Sequence, residues 1–306
     1  MRPEALPGFV FLIGTGRCGS SLAHEILAQH GDVGFLSNLE DRFPLPPSLG
    51  RWNGALYRRL PVEWSRKGRP RFAPSEGYRA LSREVSPIVC APVRDLTASD
   101  ATPWLAARLG RFFERRAQAQ QRPVFLHKFT GWPRAGLVAA SLPDTRFVHV
   151  IRDGRAVANS LVQMPWWRGY AGPGAWGWGP LPDVLEKEWE AAGRSFPVLA
   201  ALEWKVLMDA FEEARAAIPG ERWLDVRYED FIAEPRRWTD RILRFAGLPW
   251  DPGFDRSFRR YRFDTSRRSA YERDLPAADV RAIEEIVGED LQRYGYEVRY
   301  DGASSR

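Results

Sequence analysis

Lysine is nearly missing from this chain: only Lys67, Lys128, Lys187 and Lys205 stand among its 45 basic residues, and the rest are arginine. Cysteine is as scarce. Cys18 and Cys90 are the only two, which excludes a disulfide framework and a thiolate metal cluster and makes a reducing cytoplasm the expected location. Long apolar runs are absent too. The longest, FVFLIG and FVHVI, fall far short of the ~20 residues that cross a bilayer, and the opening MRPEALPG lacks the apolar region of a secretory signal. No block of one charge sign occurs. The net charge of +6 is spread among interspersed acids, which favours a solvated surface with a few small-anion sites over nucleic-acid binding.

What is there suffices for an ordinary globular core: 44% hydrophobic and 27% charged residues over a length of 306. Residues 7–14 read as a buried strand closed by Gly14, and SSLAHEILAQHG reads as the helix after it. VFLHK (124–128), RFVHVI (146–151) and WLDVRY (223–228) read as further strands. Helical patterns occupy 134–142, the stretch from Asp153 on, and roughly 183–217, 235–246 and 276–292. Residues 41–103 offer only loops and short helices, and the segment 164–180 holds too many glycines, prolines and tryptophans for regular structure. Alternating strands and helices imply an α/β fold, a central parallel sheet flanked by helices. Ligands in such sheets bind beyond the carboxyl ends of the strands, where GTGRCGSS, HKFTG, RDGRAVANS and RYED stand.

GTGRCGSS is one residue from the ATP-binding pattern G-x-x-x-x-G-K-[ST], with Ser20 at the lysine position. Glycines and small residues entering a helix still bind phosphate through backbone N–H groups and the helix dipole, and Arg17 supplies a forked cation. Arg152 and Ser160 lie at the end of one strand and two turns into the next helix, where both can hold a second phosphate. Tyr228 ends a strand and can present its ring to a base. Lys128, a rare lysine at a strand end, completes the pattern.

This combination resembles the sulfotransferases that use 3′-phosphoadenosine 5′-phosphosulfate (PAPS), especially their bacterial and Golgi-type branches. The resemblance rests on Arg17-Cys18-Gly19-Ser20-Ser21-Leu22 for the phosphosulfate loop, on Arg152 through Ser160 for the 3′-phosphate, and on Tyr228-Glu229-Asp230-Phe231 with Pro235. It implies one sulfotransferase domain over 1–306, interrupted by irregular insertions at about 41–103 and 164–182. It further implies a P-loop-like phosphosulfate loop and metal-free, in-line transfer of a sulfuryl group to a small-molecule, glycan or lipid hydroxyl, with adenosine 3′,5′-bisphosphate leaving. Arg17, Cys18, Gly19, Ser20, Ser21, Leu22, Arg152, Ser160 and Tyr228 are the expected donor-binding residues, with Ser266, Arg267 and Arg268 in the region of a C-terminal basic loop. Lys128 is expected to stabilise the leaving group. Relatives of the cytosolic branch place a histidine base where Thr130 stands; other branches place an acid near Ser37 and Asn38. Glu40 is therefore the expected base, with Asp41 and His127 as alternatives. Trp166, Trp167, Trp176 and Trp178 either stack on the acceptor or pack as an ordinary lid. Two other functions are weighed: a magnesium-dependent kinase-like phosphotransferase, with Asp153 as the metal-holding acid, and a non-catalytic nucleotide or polyanion binder.

Overall fold

The structure, a computed structural model, describes residues 8–59 and 72–299. The first residue expected in the opening strand, Pro7, and the 60–71 part of the irregular region lie outside the described residues.

Five strands form one sheet: β1 (Gly8–Ile13), β2 (Val33–Phe35), β3 (Val124–Lys128), β4 (Arg146–Ile151) and β5 (Trp223–Arg227). Their order is β2-β3-β1-β4-β5, and every pairing is parallel. Both faces are therefore covered, and the strands read as continuous apolar runs. Alternation along β1 sends Phe9, Phe11 and Ile13 to one face, against Phe113, Phe147 and the helix Phe196–Ala217. Val10 and Leu12 go to the other, against Ile26 of the helix Ser20–Leu27 and Leu243 of the helix Pro235–Phe245.

Strands β3 and β4 span the expected residues, whereas Tyr228 leaves β5 and opens the helix Tyr228–Ala233. The expected 183–217 helix is two helices, Asp183–Ala191 and Phe196–Ala217, parted by Gly193 at φ 69°. In the segment 164–180 only the short 3₁₀ turns Gly169–Ala171 and Pro173–Ala175 form. The short strand β2 and the helix Pro103–Gln120 come in addition to the expected elements.

Candidate active site

With β1 central, the ends of β1, β3, β4 and β5 open into one cleft of about 1470 Å³. Drug-sized ligands take roughly 300–1,000 Å³, so a nucleotide and a second substrate fit together. The turn after β1 forms its floor. Gly16, Arg17 and Gly19 have φ of 85°, 53° and 91°. Arg17 is thus a non-glycine residue held left-handed, a strain that proteins keep mainly at functional sites. Gly19 admits no side chain: a Cβ there would run into the Tyr228 ring.

Arg17 links the two expected phosphate motifs. Its Nε donates to Ser160 Oγ at 2.9 Å, and its backbone oxygen accepts from Arg152 Nη1 at 2.8 Å. Arg152 Nη2 reaches the Arg267 backbone oxygen at 3.1 Å, and its guanidinium lies 4.7 Å from the centre of the Tyr228 ring. Burial first, then the neighbouring Arg152 and Arg267, lowers the Arg17 pKa. Glu229 holds this junction from below. Its carboxylate accepts from the Asp153 backbone N–H at 3.3 Å and from Tyr296 Oη at 2.9 Å.

Gly19, Ser20, Ser21, Leu22, Arg152, Ser160, Tyr228, Ser266 and Arg267 all line the cleft with Arg17, whereas Arg268 does not. Cys18 is not among the lining residues. Its side chain is fully buried, with the thiol against Gly14.

Lys128, at the end of β3, is 4% exposed. Its ammonium donates to Ser21 Oγ at 2.7 Å and pairs with Glu76 Oε1 at 2.7 Å. The other Glu76 oxygen accepts from Thr130 Oγ1 at 3.2 Å. Glu76, Thr130 and Lys128 share the cleft wall.

Glu40 is not in the cleft. It is 3% exposed and closes a capping box at the helix Asn38–Arg42. Its carboxylate accepts from the Ser37 N–H and Oγ at 3.0 Å each and from Asn53, and its other oxygen faces Arg116 Nε at 3.9 Å. The side chain is spent on folding, which corrects its expected place at the reacting centre. Glu40→Gln is expected to cost ~1–3 kcal/mol of stability while sparing turnover per folded molecule, as calorimetric melting and an activity assay normalised to folded protein would report.

Asp41 lines the cleft, but its Oδ1 caps the helix Tyr78–Glu84, accepting from the backbone N–H of Arg79 and Ala80 at 2.9 and 3.0 Å. His127 faces away among Phe11, Phe113 and Phe129, and burial pushes its pKa down to about 3. His24, on the first helix, is buried at the cleft edge. Burial, then the Lys128 charge, lowers its pKa well below the usual imidazole range. His30 bonds to the Pro249 backbone oxygen, and His149 stacks on Phe211. The tryptophans divide. Trp167 donates to Glu203, Trp176 to the Gly179 carbonyl, and Trp178 packs on Trp132; Trp166 lines the cleft and is 56% exposed.

Sequence reading missed Glu76, which belongs to no motif and enters the cleft from the segment ahead of Gly77. Asp153 holds Arg155 with both oxygens, at 3.0 and 2.8 Å, so it has no free edge for a cation. Among the described residues no three His, Cys, Asp or Glu side chains gather as metal ligands, and no helix is long and apolar enough to cross a membrane.

A parallel sheet with a glycine-rich turn after its central strand, opening into an arginine-lined cleft, defines a P-loop-like group-transfer fold. Residues 7–252 match the family model described as the sulfotransferase family, and the chain belongs to that family. Its members take a sulfuryl group from a sulfate donor. The omega-hydroxy-beta-dihydromenaquinone-9 sulfotransferase Stf3 of Mycobacterium bovis is 23% identical over 195 residues, 62% of this chain and 45% of the relative. The Mycobacterium tuberculosis protein of the same name matches equally. The match thus spans less than half the length of these curated relatives. Among solved structures, sulfotransferase STF9 from Mycobacterium avium superposes with TM-score 0.57 at 17% identity, covering 97% of this chain and 79% of that one. Sulfotransferase STF1 from M. tuberculosis gives TM-score 0.53 at 17% identity, over 92% and 76%. These two likenesses concern the fold.

Proposed function

We propose that the cleft binds PAPS and passes its sulfuryl group to a hydroxyl acceptor, releasing adenosine 3′,5′-bisphosphate. The observation that carries this reading is the pair of half-buried Arg17 and buried Arg152, with the exposed Arg267 beside it, together with the Lys128 ammonium on Ser21. Partly buried like charges oppose one another until an anion joins them. A donor with phosphate at one end of adenosine and phosphosulfate at the other answers both groups of cations. The roles follow the chemistry of each group. Arg152 and Ser160 hold the 3′-phosphate side; the turn Gly16–Ser21, Arg17 within it, and Lys128 hold the phosphosulfate; Tyr228 holds the nucleoside. Transfer then asks mainly for alignment and for neutralisation of the leaving oxygen, and Lys128 supplies the second.

The acceptor class we favour is a lipid or other apolar alcohol. Phe43 and Trp166 line the cleft at 43% and 56% exposure, large apolar surface left open where an acceptor enters. The curated relatives are named for a hydroxylated menaquinone.

Calorimetric titration without metal is the test. Adenosine 3′,5′-bisphosphate is expected to bind tightly and ATP weakly. Tight magnesium-dependent ATP binding with no response to the bisphosphate would instead favour a phosphotransferase. Salt-sensitive polyanion binding without turnover of PAPS would favour the non-catalytic reading.

A further inference from the structure

We infer that Glu76 is the general base that takes the acceptor's proton; this deepens the sulfuryl-transfer reading and rests on it. The other candidates are committed elsewhere. Glu40 is buried in its capping box, Asp41 caps the helix Tyr78–Glu84, and His127 lies on the far face of β3. Ser37 and Asn38, where the resemblance asks for an acid, have none. Thr130 occupies the histidine position of the cytosolic branch and bonds to Glu76. The carboxylate thus stands where that histidine would act, supplied by another segment of the chain.

Its surroundings suit the task. Glu76 Oε1 is 2.7 Å from Lys128 Nζ, and Oε2 accepts from Thr130 Oγ1 at 3.2 Å. The Thr130 backbone N–H is itself fixed on Tyr78 Oη at 3.1 Å. The carboxylate keeps a quarter of its surface open toward the cleft. Lys128 therefore bridges two sites: Ser21 on the donor side and Glu76 on the side left for the acceptor. When Lys128 turns its charge to the donor's leaving oxygen, its hold on Glu76 weakens and the carboxylate gains basicity. In the transfer, the acceptor oxygen bonds to sulfur as its proton passes to a Glu76 oxygen. The bond from sulfur to the bridging oxygen breaks, and its electron pair leaves on the 5′-phosphate of adenosine 3′,5′-bisphosphate. Glu76 then returns the proton to water.

The test is Glu76→Gln in the full chain, read as bisphosphate release from PAPS with three acceptors: a primary alkanol, p-nitrophenol at slightly alkaline pH, and water at high enzyme concentration. The alkanol and water must lose a proton during transfer, whereas p-nitrophenol is already largely ionised. A base role predicts loss of about 100-fold or more for alkanol and water, with p-nitrophenolate transfer within a few-fold and bisphosphate affinity unchanged. Glu76→Asp should recover part of the loss. Equal losses with all three acceptors would make Glu76 a positioner of Lys128, and unchanged hydrolysis would give it no role; either result overturns the inference. Failure of wild-type protein to bind the bisphosphate would overturn the donor reading itself, and calorimetry on the same samples separates that failure from the others.

Discussion

Replacement of Lys128 by alanine is expected to lower kcat about 10³-fold and to leave affinity for adenosine 3′,5′-bisphosphate within a few-fold. Removing a single donor aimed at developing oxyanion charge costs ~10²–10³ in other enzymes, and Lys128 carries a full charge in a nearly closed position, 4% exposed at the end of β3. The cations proposed to hold the product, Arg17 and Arg152, stand apart from Lys128, so product binding is expected to survive the loss. Folding should survive as well. Glu76, the partner left behind, keeps a quarter of its surface open and a hydrogen bond from Thr130, so no buried carboxylate is stranded. Arginine should not replace the lysine. The space between Ser21 and Glu76 holds a compact ammonium that touches both at 2.7 Å, and a planar fork has different reach. Single-turnover bisphosphate release decides the matter; a Lys128→Ala protein with near-normal kcat would remove Lys128 from the reaction.

Much of the cleft's lining was legible because its motifs are local in the chain. A glycine-rich turn, an arginine at a strand end and a serine two helical turns later are contiguous patterns, and the fold brings Arg17, Arg152 and Ser160 within contact. The base was hidden because a carboxylate's role depends on where it points. Glu40 occupies the last position of SNLE, and Ser-x-x-Glu is also the capping-box pattern; the structure uses it as one. Glu76 arrives from a segment with no motif and meets Lys128 only after β3 is in place. The helix Pro103–Gln120 escaped for a related reason. Its apolar stripe is broken by Arg116 and Gln120, yet both are buried, Arg116 on Glu84 at 2.9 Å and Gln120 on the Phe35 backbone at 2.9 and 3.0 Å. Polar residues that pair across elements look exposed in a sequence. β2 has only three residues, too few to show a period.

Arg152→Ala should weaken adenosine 3′,5′-bisphosphate binding about 10³-fold, the ~4 kcal/mol of two charge-assisted hydrogen bonds to a phosphate. Affinity for adenosine 5′-monophosphate, which lacks the 3′-phosphate, should change far less. That contrast matters because Arg152 also has structural work: it ties the Arg17 carbonyl to the Arg267 carbonyl and lies over the Tyr228 ring. If those contacts were its whole contribution, the two nucleotides would lose affinity together. The Nε of Arg152 is buried and has no hydrogen-bond partner among the described residues. Arg152→Lys should recover little, since the two carbonyls are met by separate nitrogens of a planar fork, which a single ammonium nitrogen does not span. Titration of both nucleotides into wild type and the two variants gives the answer: collapse of the bisphosphate preference places the 3′-phosphate on Arg152, and parallel losses would move it to the other arginines of the cleft.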